Sequence, residues 1–174
     1  MDAILYKKFE SWPEPVKPPF ADIQIIGCCE EHEQAGQFVW YRNHSWQDLR
    51  DLILSKDQII EKEIDPSTFR SMDPRVQHYY LKGALCALAK KADEAGSFEE
   101  IDFVIWQWIV RHKTDLEKLA DSNGQNLEFS KEEVSDMIAL VGQLKARSAA
   151  GNHMKKDLAS TLDFWQEVHK RLSK

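Results

Sequence analysis

The clearest pattern in the chain is the recurrence of apolar residues every three or four positions across residues 73–174. Such spacing forms one apolar face of an α-helix, because the helix has 3.6 residues per turn. Four stretches with this pattern predict helices near 74–95, 98–121, 131–150 and 153–172. The connections between them are short, so consecutive helices are expected to lie antiparallel in a helical bundle.

Residues with defined capping chemistry mark several helix starts. Pro74 suits the first turn of a helix, where its fixed φ is compatible and its missing N–H is not needed. Ser130 with Glu133, and Ser45 with Asp48, have the spacing of a capping box. In that motif the hydroxyl and the carboxylate each accept a backbone N–H that has no partner inside the helix. The second pair predicts a further helix in the N-terminal part.

The apolar stripes also predict which side chains form the core of the bundle. The segment 98–110 is apolar on most sides, which is typical of a helix with several neighbours. Cys86 falls among apolar residues of the first long helix, where a small buried thiol is the ordinary interpretation. The predicted core positions are Leu85, Leu88, Ile101, Ile105, Trp108, Ile138, Val141, Leu162 and Trp165.

Residues 1–72 have a less regular pattern. A short amphipathic helix is predicted near 2–10, and the prolines that follow it favour an extended passage. The best strand candidate is 23–26, so at most one or two short strands are expected. We find no repeat, low-complexity tract or linker. The chain is therefore predicted to be a single, mainly α domain, in which an irregular N-terminal part is packed on the helical bundle of residues 73–174.

Composition and charge exclude several classes of function. A hydrophobic content of 43% with 30% charged residues is a globular balance. The net charge of -6 opposes nucleic-acid binding, which needs a basic face, and no apolar run approaches the roughly 20 residues that cross a bilayer. The start lacks the apolar run of a secretory signal, and the three cysteines have no disulfide-framework spacing. Both features favour a cytoplasmic protein with reduced thiols.

The densest group of potential metal ligands is the run from Cys28 to His32. Cys29, Glu31 and His32 are the candidate ligands, since thiolate, carboxylate and imidazole all bind zinc. Adjacent cysteines fit tetrahedral coordination badly, so we expect no tightly bound metal there. No phosphate-binding loop, zinc-protease motif or nucleophile elbow is present, so the sequence assigns no cofactor and no catalytic residue.

Aromatic residues are concentrated in an N-terminal part that has few aliphatic residues, and acidic residues lie close to them in sequence. Large aromatic side chains are enriched at the centres of protein interfaces. One interpretation is an acidic, aromatic contact surface, and the other is that these rings cover one side of the helical core. The candidate contact residues are Trp40, Tyr41, Trp46, Asp48 and Asp51.

A set of features is spread over the first 90 or so residues: Phe9, the proline passage, the Cys28-Cys29-Glu30-Glu31-His32 cluster, Trp46, Pro66, Phe69 and the run His78-Tyr79-Tyr80-Leu81. In these features the chain resembles a family of small bacterial proteins that have no assigned activity. The chain departs from that pattern at Lys82 and Gly83, where the family tends to have proline and alanine. The resemblance implies a bacterial domain and transfers no catalytic residue.

Together these features favour a non-enzymatic, cytoplasmic protein-interaction domain, of an antitoxin-like or immunity-like kind. The expected partner is another protein, with no nucleic acid and no membrane, and the sequence carries no signal for an oligomeric state. The alternative is a metal-binding protein or metal-dependent hydrolase that uses Cys29, Glu31 and His32. Elemental analysis of the purified protein distinguishes the two.

Overall fold

The structure is a computed structural model of the chain, and it describes residues 5–17, 39–55, 74–94, 129–147 and 153–173. Most of these residues are helical, and none of them lies in a strand. The prediction of a mainly α protein is therefore confirmed. The predicted helix near 98–121 and the strand candidate at 23–26 lie outside the described residues.

Within the described residues, five helices have defined bounds. They are α1 (Leu5–Glu10), α2 (Trp46–Leu54), α3 (Pro74–Glu94), α4 (Lys131–Arg147) and α5 (His153–Arg171). Residues 39–43 are also helical. Three of the four predicted C-terminal helices are thus observed, each with its start at or within a residue of the predicted position.

By the packing of its backbone the chain divides into two compact units. One comprises Met1–Trp12 and Leu88–Lys174, and we call it the helical unit. The other comprises Pro13–Ala87, and we call it the aromatic unit. The division falls inside α3. The single domain expected from the sequence stays a prediction, and the two units are described separately.

In the helical unit, α4 and α5 form an antiparallel pair. Phe129, just before α4, packs edge-on against Trp165 near the end of α5, with ring centroids 5.6 Å apart. The start of one helix therefore lies beside the end of the next. The buried side chains between them follow helical spacing: Val134, Met137, Leu140, Val141 and Leu144 on α4, and Leu158, Thr161, Trp165 and Val168 on α5.

Four of the predicted core positions are confirmed as buried, namely Leu85, Leu88, Val141 and Trp165. Ile138 and Leu162 are only half-buried, so their assignment to the core is wrong. At 3.6 residues per turn, each lies on the edge of its helix's buried face, whose centre is taken by neighbours three or four positions away. The remaining three, Ile101, Ile105 and Trp108, lie outside the described residues.

Helix α1 completes the described part of the helical unit. Leu5 and Phe9 are buried, as the amphipathic pattern predicts. Past the helix end, Trp12 packs against Phe9 at 4.9 Å, and its indole Nε1 donates a 3.0 Å hydrogen bond to Asp136 of α4. Lys8 lies 3.6 Å from the same carboxylate. A buried aromatic contact and a shared acid therefore fix α1 on α4.

Helix α3 differs from the others because its middle is buried on all sides. Every side chain from Tyr79 to Ala89 apart from the glycine is buried, including that of Lys82. Cys86 is fully buried there, as expected from its apolar neighbours in the sequence. Within the described residues, no helix is both long enough and apolar enough to span a membrane.

Candidate functional site

The aromatic unit contains the candidate site, and the predicted capping box positions its first element. Ser45 is the N-cap of α2: its backbone N–H donates to Asp48 Oδ2 at 2.6 Å, and the Asp48 N–H donates to Ser45 Oγ at 3.2 Å. These hydrogen bonds from Ser45 lower the pKa of Asp48. The prediction of a capping box is confirmed, and it fixes where the neighbouring Trp46 enters the unit.

Trp46 is buried where α2 crosses α3. Its backbone carbonyl lies so close to Gly83 that a Cβ atom at position 83 would overlap the oxygen. The Nζ of Lys82 lies 4.4 Å from the centre of the Trp46 ring, within cation–π range. The absence of a side chain at Gly83 therefore allows α2 to approach α3 closely. The indole ring of Trp46 then lies beside Lys82.

A glutamate from the extended segment 13–17 joins this contact. The Trp46 indole Nε1 donates to Glu14 Oε1 at 2.7 Å, and Gln47 Nε2 donates to the same oxygen at 3.3 Å. Lys82 Nζ lies 3.5 Å from Glu14 Oε2. The hydrogen bond from Trp46, with the positive charge of Lys82, lowers the pKa of Glu14. We call Glu14, Trp46, Gln47 and Lys82 the Glu14 cluster.

A second polar contact is built on Tyr80 of α3. Its hydroxyl lies within hydrogen-bond distance of two backbone carbonyl oxygens, those of Tyr41 and of His44, the latter at 2.7 Å. A hydroxyl has one proton, so it donates to one carbonyl at a time. The rings of Tyr41 and Tyr80 meet edge to face at 4.8 Å. Burial raises the pKa of Tyr80, so the hydroxyl stays protonated and able to donate.

Lys17 holds the other end of segment 13–17. Its ammonium group donates to the backbone carbonyls of Arg42 at 3.0 Å and His44 at 2.8 Å. Arg42 lies in the helical turn 39–43 and His44 directly follows it. The end of a helix leaves such carbonyl acceptors without partners inside the helix. Desolvation lowers the pKa of Lys17. Segment 13–17 is thus attached at both ends by charged side chains.

Trp40 lies beside this attachment point. Its ring stacks on that of His44 with centroids 4.2 Å apart and planes 5° from parallel. His44 Nδ1 is 2.7 Å from the Trp40 carbonyl oxygen, and because a carbonyl only accepts, Nδ1 carries the proton. Trp40 is half-buried, whereas the neighbouring Val39 is 54% exposed. On segment 13–17, Val16 is 89% exposed.

The five candidate contact residues from the sequence separate into two groups. Tyr41 and Trp46 are buried, so they pack inside the aromatic unit and do not form part of its accessible surface. This agrees with the interpretation that the rings cover a core. Trp40 is half-buried, and Asp48 and Asp51 are exposed. Asp48 accepts the hydrogen bonds of the capping box, and Asp51 accepts a 2.8 Å hydrogen bond from the adjacent Arg50. A partner would therefore contact the carboxylate oxygens that these bonds leave accessible.

The candidate metal ligands Cys29, Glu31 and His32 lie outside the described residues. In the part of the chain that the structure does describe, no group of three or more His, Cys, Asp or Glu side chains is placed to hold a metal ion. The metal hypothesis stays a prediction. Zinc that survives dialysis against a chelator at one equivalent per chain would overturn the expectation of no tightly bound metal.

Glu14 and Lys82 are site residues that were not predicted from the sequence. One available signal was a lysine inside an otherwise apolar run on α3, since a lysine at such a position needs a partner for its charge. A second was the placement of Glu14 between two prolines, where the backbone cannot enter a helix. Neither signal identifies the partner, because the two residues are far apart in the chain.

Comparison of this chain with protein-family models, with curated proteins and with solved structures finds no match. The resemblance to a family of small bacterial proteins therefore stays a prediction, and the site is interpreted from its own chemistry.

Proposed function

We propose that this chain is a cytoplasmic, non-enzymatic protein-interaction domain of an antitoxin-like or immunity-like kind, and that it binds its partner through the surface around Trp40. We call Val16, Val39 and Trp40 the Trp40 face. The observation that carries the proposal is the exposure of large hydrophobic side chains. Within the described part of the chain, the large hydrophobic side chains that are exposed are Val16 and Val39, and both belong to the aromatic unit.

The composition of the Trp40 face is that of an interface centre. A half-buried indole, rigidly stacked on His44, offers a large contact area at little cost in side-chain entropy. Two exposed valines add apolar surface: Val39 precedes Trp40 in the chain, and Val16 precedes Lys17, which binds the His44 carbonyl. The carboxylates of Asp48 and Asp51 are exposed in the same unit, and the whole chain is acidic. The proposed partner is therefore a protein with an apolar centre and a basic rim.

The polar groups beside the Trp40 face have a structural role, and this favours a binding function over catalysis. Lys17 and Tyr80 are side chains that many enzymes use as acids, bases or nucleophiles. Here both donate to backbone carbonyls that end the turn 39–43. Their contacts hold the backbone that presents Val39 and Trp40.

Photo-crosslinking tests the proposal in cells that express the full chain. A photoreactive amino acid is placed at Val39 and, as a control, at Ala139, an exposed position on α4 of the helical unit. We expect a discrete adduct with one protein at position 39 and none with that protein at position 139. Mass spectrometry of the adduct identifies the partner.

Affinity measurements with the purified partner then quantify the face. Val39→Asp and Trp40→Ala are each expected to weaken binding by roughly thirtyfold, since removal of an interface anchor costs about 2 kcal/mol or more. Asp51→Asn should mainly slow association, because rim charges act on the encounter rate. Ala139→Asp should bind normally. Normal binding by both face variants, with their circular dichroism unchanged, would show that the partner binds elsewhere.

A further inference from the structure

The Glu14 cluster has the construction of a receptor for a carboxylate. Three donors from two helices converge on Glu14: an indole N–H and an amide from α2, and an ammonium group from α3. A carboxylate bound in this way accepts hydrogen bonds on one oxygen and has a cation beside the other, and hydrogen bonds to an ionised group are stronger than those between neutral groups. The receptor is thus made of Trp46, Gln47 and Lys82.

Burial differs sharply between the receptor and the group that it holds. The Lys82 side chain is 6% exposed and Trp46 is 3% exposed, whereas the Glu14 side chain is 64% exposed. Glu14 also comes from a segment without helical structure, flanked by Pro13 and Pro15. The donors are therefore held by packed helices, and the carboxylate is supplied from the solvent side by an extended segment.

We propose that Trp46, Gln47 and Lys82 form a carboxylate-binding site that Glu14 occupies in the same chain, and that a glutamate of an extended, proline-flanked segment of another protein binds there in its place. This goes beyond the proposed function, since Trp46, Gln47 and Lys82 are not residues of the Trp40 face. The specificity follows from Glu14 itself: the site fits a carboxylate on an extended backbone, and Pro13 and Pro15 keep that backbone out of a helix.

Competition with Glu14 determines how such a ligand binds. A group tethered by a short segment has an effective concentration of about millimolar or higher. An external carboxylate must displace Glu14 in the wild-type chain, but does not compete with that carboxylate in the Glu14→Ala variant. We expect binding of a small carboxylate to be strengthened by roughly tenfold or more when Glu14 is removed, because the tethered competitor is lost.

The experiment is an acetate titration of the full chain labelled with ¹⁵N at tryptophan, followed by NMR of the Trp46 indole N–H. A Trp46→Phe variant assigns the signal. In Glu14→Ala we expect a saturable shift of this signal toward its wild-type position, with acetamide at the same concentrations producing no such shift. Lys17 still holds segment 13–17 in place in that variant, so the peptide WPEPVK, which has the sequence of residues 12–17, is tested in Glu14→Ala combined with Lys17→Ala. There the peptide should saturate the site at lower concentration than acetate. The same peptide with glutamine in place of the glutamate should not.

Controls separate a binding site from a structural contact. The titration is repeated with Glu14→Gln, in which the side chain has the same size but no charge. This variant keeps the measurement possible if Glu14→Ala unfolds. Adding Lys82→Met removes the charge and retains an apolar stem, and should abolish the acetate response. Val39→Asp should leave the response unchanged, so failure at the Trp40 face is distinguishable from failure here. A Glu14 variant that is folded and shows no saturable shift, or that responds equally to acetamide, overturns the proposal.

Discussion

The α4–α5 pair of the helical unit and the aromatic unit are held together by different kinds of contact. The buried residues of α4 and α5 are mostly aliphatic, and they recur with helical spacing. In the aromatic unit, large rings carry polar atoms that bind particular partners, as Trp46 binds Glu14 and Tyr80 binds backbone carbonyls. Apolar burial tolerates small shifts in position, whereas a polar contact requires a particular distance and direction.

This difference predicts unequal responses to the same kind of mutation. An apolar contact loses free energy in proportion to the area and cavity involved. A buried polar group that loses its partner also bears the cost of desolvation. The predictions below compare matched positions in the two units, beginning with the largest expected effect.

Truncation of the central ring of the helical unit should be the most damaging change. Trp165 is 1% exposed and contacts both Phe129 and Phe164. Trp165→Ala is expected to reduce the free energy of unfolding by about 3–5 kcal/mol, measured by urea denaturation, through lost transfer energy and a residual cavity. Phe164 is half-buried, so Phe164→Ala should cost clearly less. Equal losses would show that the burial of Trp165 does not govern this contact.

Two helical glycines should respond to alanine with opposite signs. At Gly83 of α3 a Cβ would overlap the Trp46 carbonyl, so Gly83→Ala must push α2 away, at a cost of about 1–3 kcal/mol. At Gly142 of α4 nothing lies within 4 Å of a Cβ, so Gly142→Ala should gain about 0.5–1 kcal/mol from helix propensity. Thermal denaturation of both variants measures the difference. A stabilised Gly83→Ala would contradict the close crossing of α2 and α3.

Removal of a tyrosine hydroxyl should matter in one unit and not in the other. Tyr80→Phe removes this donor from the buried Tyr41 carbonyl and from the part-buried His44 carbonyl, which still accepts from Lys17. The change is expected to cost about 1–3 kcal/mol. Tyr6 of α1 donates to Glu10 at an exposed position, so Tyr6→Phe should have little effect. Urea denaturation of both variants measures the difference. If they are equally stable, the contacts of Tyr80 are not a determinant of the aromatic unit.

The same hydroxyl predicts a dependence on alkaline pH. Because burial raises the pKa of Tyr80 above its unfolded value, its contribution is fully present below an unfolded pKa of about 10. It is lost progressively as the pH rises above that value. Tyr80→Phe should therefore show a shallower loss of stability than the wild type between neutral and strongly alkaline pH. Parallel curves would contradict this.

The smallest effects are expected at the helix starts, where both units use the same device. Ser45→Ala and Ser130→Ala each remove a capping box and should cost about 1 kcal/mol in urea denaturation. Hydrogen bonds from Ser45 lower the pKa of Asp48, so that contribution is present above the unfolded pKa and is lost as the pH falls through the folded one. Asp48→Asn should remove this decrease in the free energy of unfolding at acidic pH. If the decrease is unchanged in the variant, other titrating groups cause it.

These matched positions also show how far sequence reasoning extended. Both capping boxes, the start of α3 at Pro74 and the burial of Leu88 and Trp165 were predicted and are observed. Each depends on residues within a few positions of one another. Ile138 and Leu162 were misassigned because helical spacing identifies an apolar stripe, but which edge of the stripe is covered depends on the neighbouring helix.

The candidate site was predictable only as an enrichment of aromatic residues. Whether Tyr41 and Trp46 face solvent or the core was left open, and the structure buries both. Glu14 and Lys82, which carry the carboxylate contact, were not identified. Composition indicates that aromatic side chains need partners. It does not indicate which residues those partners are.

By itself the sequence determined where helices begin and which faces are apolar, because caps and helical periodicity act over a few neighbouring residues. Only the tertiary structure decided that Glu14 meets Trp46 and Lys82, that Gly83 admits α2, and that Val39 stays exposed. These outcomes depend on contacts between segments distant in the chain. Their free energy comes from burial and from directional polar pairing, and both are defined only once the helices are packed.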